Sequence, residues 1–129
     1  MDKRDILKEP VEHIDIKAFD STPIIEAMRG MSFTARETAR AADILNMMIG
    51  DKDCTVILTI AGSTSAGGCM QIYVDMVRHN MVDVIVATGA AIVDMDFFEA
   101  LGFRHYKGSP VADDKKLRSL YIDRIYDTY

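Results

Sequence analysis

Residues 54–91, CTVILTIAGSTSAGGCMQIYVDMVRHNMVDVIVATGAA, constrain the fold more than any other stretch. Cys54 to Ile60 is an apolar run rich in Val, Ile and Thr, of the length a buried strand needs. The glycines of Gly62-Ser63-Thr64-Ser65-Ala66-Gly67-Gly68 cannot continue that strand and suit a tight turn into a helix. Gln71 to Arg78 carries Ile72, Val74, Met76 and Val77, and His79-Asn80 closes it. Asp83 to Ala87 is a second apolar strand, and Thr88-Gly89-Ala90-Ala91 opens the next turn. A βαβ unit of this kind puts both turns at one edge of a parallel sheet, where ligands of open α/β sheets bind.

The remaining chain reads as helices around that unit. Asp20-Ser21-Thr22-Pro23 is a helix-start signal, so Pro23 to Met28 is expected as a short helix ended by Gly30. Thr34-Ala35-Arg36-Glu37 has capping-box spacing. The helix after it should turn Ala41, Ile44, Leu45, Met48 and Ile49 inward and stop with Gly50 at C′. Val93 to Leu101 is expected as a helix with Phe97, Phe98 and Leu101 inward and Gly102 as its stop. Phe103 to Gly108 reads as extended or looped, and Asp113 caps a short helix to Leu120. Val11 to Ile16 reads as an edge strand or extended lead-in, and the charged Met1–Pro10 as a fraying end.

With 129 residues, 49% of them hydrophobic, the chain can form one globular domain or a large piece of one without metal or disulfide staples. A net charge of −5 leaves no electrostatic footprint for nucleic acid and suits a cationic partner such as a polyamine. No segment reaches the roughly 18 apolar residues of a membrane span. A soluble, cytoplasmic protein is expected, with Cys54 and Cys69 as small buried apolar residues in a reducing compartment.

The glycine turn has two readings. Backbone N–H groups at a helix start, with the hydroxyls of Ser63, Thr64 and Ser65, are suited to a phosphate or ribose. The segment is nevertheless neither GxGxxG nor GxxxxGK[ST], so a merely structural turn stays open. Asp94 and Asp96 are the carboxylates nearest the same edge, and first-turn carboxylates also serve the helix dipole. His13, His79 and His105 show no metal-ligand spacing, and no G-x-S-x-G nucleophile motif is present.

GSTSAGG, VRHNMVDVIVATGA, FFEALGFRHYKG and DRIYDTY, with GMSFTARETARAADILNMM before them, resemble the N-terminal part of deoxyhypusine synthase. The likeness is closer to the deoxyhypusine synthase-like proteins of prokaryotes, and it covers the chain from Val11 onward. The resemblance implies an α/β, Rossmann-like parallel sheet with flanking helices, present here as a partial domain. It implies transfer of the aminobutyl group of spermidine to a lysine of a translation factor, with NAD as hydride acceptor and then donor. Relatives use a free amine and form homospermidine; a non-catalytic regulatory paralogue is the other reading.

By resemblance, Gly62, Ser63, Thr64, Ser65 and Ala66 with Thr88, Gly89 and Ala90 line the NAD phosphates and ribose. Asp94 matches an acidic position facing nicotinamide and polyamine. The synthases carry an Asn in the first turn and an acidic pair in the second, where this chain has Ser63 and Val93-Asp94. The family's catalytic lysine lies in a C-terminal half that this chain does not contain, and its members are homotetramers. The isolated 129 residues are therefore expected to be a fragment without the full activity.

Overall fold

In the computed structural model, which describes residues 2–129, two strands form one sheet. They are β1 (Ile57–Ile60) and β2 (Val84–Ala87). Asp83 N–H donates to Val56 O at 2.9 Å and Thr88 N–H to Ile60 O at 3.2 Å, so the register advances in parallel. The crossover contains α3 (Met70–Arg78), which makes the fold a mixed α/β one as expected.

Both strands are shorter and more open than the apolar runs suggest. The Asp83 carboxylate takes the Val56 N–H at 2.8 Å, and Cys54 N–H makes a turn bond to Asp51 O, so pairing starts only at Ile57. Ile60 is buried, but Ile57, Val84 and Val86 are exposed. The strands alternate like half-covered ones rather than strands buried on both faces.

The chain divides into two compact units. One comprises Asp15–Thr59 and Val74–Val86. Here α1 (Thr22–Arg29) packs on α2 (Phe33–Gly50), and Arg29 pairs with Asp43 and Glu26. The buried position of α2 is Ala39, with Ala35, Ala42, Leu45 and Met48 half-buried on the same side. Ala41, Ile44 and Ile49 are exposed instead of inward; the inward stripe passes through Ala35, Ala39 and Ala42, and Ala41 and Ile44 fall off it at 100° per residue. The Thr34–Glu37 capping box does not form. The helix begins two residues earlier than that box requires, at Phe33 with φ +56° after Ser32 as N-cap, and Arg36 reaches back to Met31 O at 2.7 Å and to Ser32 Oγ. Gly50 is the last helical residue, and the extended Asp51 ends the helix. Asp75 is buried and accepts from Lys17 Nζ at 2.5 Å.

The other unit comprises the residues up to Ile14, Ile60–Tyr73 and Ala87–Tyr129. Met1 lies outside the described residues; from Asp2 the start is ordered, with a capped 3₁₀ turn at Lys3–Asp5 where fraying was expected. The lead-in at 11–15 is extended and leads to a 3₁₀ turn at Ile16–Ala18. The second turn is itself helical: α4 (Gly89–Ala91) runs into a π-helical stretch at Ile92–Phe97 and then α5 (Phe98–Ala100). Its buried residues are Ala91 and Met95, while Phe97, Phe98 and Leu101 are exposed, contrary to the inward face expected of them. The five-residue π spacing explains the shift, since it rotates the positions after Met95 away from a 3.6-residue register. Gly102, at φ +96°, stops the helix. Asp113 caps α6 (Asp114–Ser119) by accepting from Lys115 N–H at 2.9 Å. Among the described residues no helix is long and apolar enough to cross a membrane.

Candidate functional site

The first turn leaves β1 through Gly62, whose φ of +78° only glycine adopts cheaply, although a Cβ there would meet open space. Ser65–Cys69 is π-helical and continues into α3 after a kink at Gly68, φ +104°. Half of the expected turn is thus helix. Gly67 N–H donates to Ser63 O and Cys69 N–H to Thr64 O, both at 3.0 Å. Among the described residues no backbone carbonyl accepts from the N–H groups of Ser63, Thr64, Ser65 or Ala66; Ser65 and Ala66 are buried, so only Ser63 and Thr64 offer theirs toward solvent.

The hydroxyls are not equivalent. Thr64 Oγ1 accepts from Tyr73 Oη at 2.7 Å. Ser65 is 0% exposed, and its Oγ is buried without a partner. Thr88 caps the second turn, accepting from Ala91 N–H at 3.4 Å.

Ser63, Ala90 and Asp94 line one cavity of about 1080 Å³, together with Phe98, Glu99 and His105. Gly62, Thr64, Ser65, Ala66, Thr88 and Gly89 do not line it: Ser65 and Ala66 are buried, the other four exposed beside it. Asp94 is exposed and makes no hydrogen bond or ion pair among the described residues, so it caps no backbone N–H. Asp96 is half-buried, with Oδ1 unpartnered.

Two histidines that sequence spacing keeps apart meet here. His13 Nε2 lies 2.6 Å from Glu99 Oε2, and His105 Nδ1 lies 2.7 Å from Glu99 Oε1. All three side chains are largely buried, Glu99 being 13% exposed. Burial alone would push the Glu99 carboxyl up, but the hydrogen bonds and charges of His105 and His13 outweigh it and hold the carboxyl below its ordinary value. Among the described residues no group of three or more His, Cys, Asp or Glu has the arrangement of a metal site. No local spacing announces this cluster; its only sequence trace is the FFEALGFRHYKG segment, which holds two of its members.

Two features suit a dinucleotide: a Cβ at Gly62 or Gly89 would meet nothing within 4 Å, so the backbone is open there, and the N–H groups of Ser63 and Thr64 donate to no carbonyl among the described residues. The unpartnered Ser65 Oγ is fully buried and does not face a ligand in this arrangement.

A family model described as deoxyhypusine synthase matches residues 23–129. The chain is 67% identical over 127 residues to a deoxyhypusine synthase-like protein of Coxiella burnetii, strain RSA 493, covering 98% of this chain and 36% of the relative. It is 61% identical to a deoxyhypusine synthase-like protein of Caulobacter vibrioides, covering 98% and 35%. A probable deoxyhypusine synthase 2 of Methanosarcina acetivorans is 35% identical over 120 residues, covering 93% and 34%. The chain spans about a third of the length of these relatives.

Proposed function

The chain belongs to the deoxyhypusine synthase family, and on that premise we propose that it is the N-terminal portion of an NAD-dependent aminobutyl transferase. The reaction moves the aminobutyl group of spermidine to a lysine of a translation factor or to a free amine. One observation carries this reading: Ser63 from the first turn and Ala90 and Asp94 from the second line the same cavity.

NAD, when bound, supplies the hydride acceptor and later the hydride donor. The N–H groups of Ser63 and Thr64 would bind its phosphates, and Thr88, Gly89 and Ala90 would admit the ribose closely. Asp94, with no partner of its own, would hold an ammonium of the polyamine; a carboxylate is the group that a cation seeks in a partly shielded cavity. The lysine nucleophile would come from a C-terminal half of the same protein.

The βαβ unit would extend into a Rossmann-like sheet of which this chain is a part. The uncovered apolar residues Ile57, Val84 and Val86 are where further structure of the full protein, or of a homotetramer, would pack. A cytoplasmic location belongs to the same reading.

A specific observation favours a second reading. Val93 stands half exposed beside Asp94 where the synthases carry a second acid, which suits a non-catalytic regulatory paralogue. Incubating the intact gene product with NAD, spermidine and either a lysine acceptor protein or putrescine decides between the two. Aminobutylated product supports the transferase; NAD binding without any transfer, with altered turnover of a mixed-in synthase, supports the paralogue.

A further inference from the structure

The segment Glu9–Ile14 touches both walls of the site. Val11 N–H donates to His105 O at 2.8 Å, and Lys107 N–H donates to Glu9 O at 2.7 Å. Ile14 N–H donates to Gly68 O at 2.9 Å, where the absence of a Cβ on Gly68 lets the Glu12 carbonyl lie close. Between these two anchor points His13 turns in to Glu99. Glu99 sits on α5, in the same helical run as Asp94, and its other oxygen is held by His105. The segment is therefore tied at one end to Gly68 in the glycine turn, at the other to the backbone of His105 and Lys107, and between them, through His13, to Glu99 of the helical run that bears Asp94.

We infer that Glu99 is a positioning residue: clasped by His13 and His105, it fixes the helical run 89–100 against the Glu9–Ile14 strap, and thereby sets Asp94 opposite Ser63. A carboxylate suits this role because it can accept one imidazole N–H at each oxygen, and its lowered pKa keeps it ionised at neutral pH. The three side chains are largely buried, so the clasp is little weakened by salt. The π-helical stretch Ile92–Phe97 contains Asp94 and runs directly into α5 with Glu99, and a stretch with that looser spacing depends on outside contacts to hold its register.

The geometric inference stands on its own; only its affinity test rests on the polyamine reading above. Hydrogen exchange on the intact gene product is the first measurement. Glu99→Ala is expected to speed exchange about tenfold in residues 89–102 and 62–69 while α1 and α2 keep their rates, and Glu99→Gln, which keeps one acceptor oxygen and so one imidazole bond, is expected to restore part of the protection. Unchanged exchange, or equal acceleration in α1 and α2, overturns the inference. Should Glu99→Ala fail to fold, His13→Ala carries the same expectation and the same refutation.

The second measurement is spermidine binding by calorimetry, without turnover. Glu99→Ala and Asp94→Asn should each raise the Kd about tenfold, and the double variant should be no weaker than Asp94→Asn alone. Additive losses would mean that Glu99 acts independently of Asp94 and would overturn the inference. Unchanged affinity in Asp94→Asn alone would sink the polyamine reading instead, and the exchange pattern would still decide on Glu99.

Discussion

Replacing Gly68 by alanine should cost far more than replacing Gly62, although both glycines have positive φ. At Gly62 a Cβ meets nothing within 4 Å, so the change costs only the left-handed backbone, about 1–2 kcal/mol. At Gly68 the same backbone cost applies, and the new Cβ would stand 2.9 Å from the Glu12 carbonyl oxygen. That neighbour is backbone, so it can retreat only by moving the strap. Moving the strap loosens the Ile14 N–H bond to Gly68 O, another ~1 kcal/mol. Together with the overpacking, of order 1–3 kcal/mol, the total for Gly68→Ala is about 3–6 kcal/mol. Urea unfolding of the intact gene product, with the two variants measured against wild type, reads the difference directly. A midpoint loss for Gly68→Ala no larger than that for Gly62→Ala would refute the close packing of the strap on the first turn.

Further perturbations probe separate parts of the molecule. Met95→Ala removes a buried side chain from the π-helical stretch and should cost about 2–5 kcal/mol by thermal or urea unfolding. Asp113→Ala deletes the cap of α6 and should cost about 1 kcal/mol, measured in the same way. The Glu99 clasp has a defined pH dependence. Its folded pKa lies below the ordinary 4.5, so its stabilisation is complete above that value and is lost as pH falls through the lowered folded value. The stability gap between wild type and Glu99→Ala should therefore shrink once pH falls below 4.5 and through the lowered carboxyl value; a gap that stays undiminished in strong acid contradicts the clasp. Asp94→Asn should leave the unfolding midpoint almost unchanged while weakening polyamine binding about tenfold, since the carboxylate stabilises no contact within the chain.

The helix and strand order was legible because it follows from local periodicity and breakers. Pro23, Gly30, Gly102 and Asp113 each act within a few residues of themselves, and each marks the element end expected of it. Distant partners decide what local rules miss. Arg36 reaches back to Met31 and Ser32 and moves the start of α2; the Asp83 carboxylate takes the Val56 N–H and shortens β1. The apolar spacing of 93–101 predicted an inward Phe97 and Phe98, but a π-helical register cannot be read from a 3.6-residue pattern. In the candidate site, Ser63, Ala90 and Asp94 were named from the turns and the family resemblance, and they share a cavity. The His13–Glu99–His105 cluster was invisible, because His13 reaches Glu99 only through the extended strap and no short motif encodes that approach.

If the two turns form one wall of the NAD and polyamine site proposed above, mass spectrometry after incubating the intact gene product with NAD, labelled spermidine and an amine or lysine acceptor will find label transferred as an aminobutyl group, in an NAD-dependent reaction that Asp94→Asn weakens. Label remaining wholly in spermidine, with no acceptor modified at saturating NAD, would contradict that proposal.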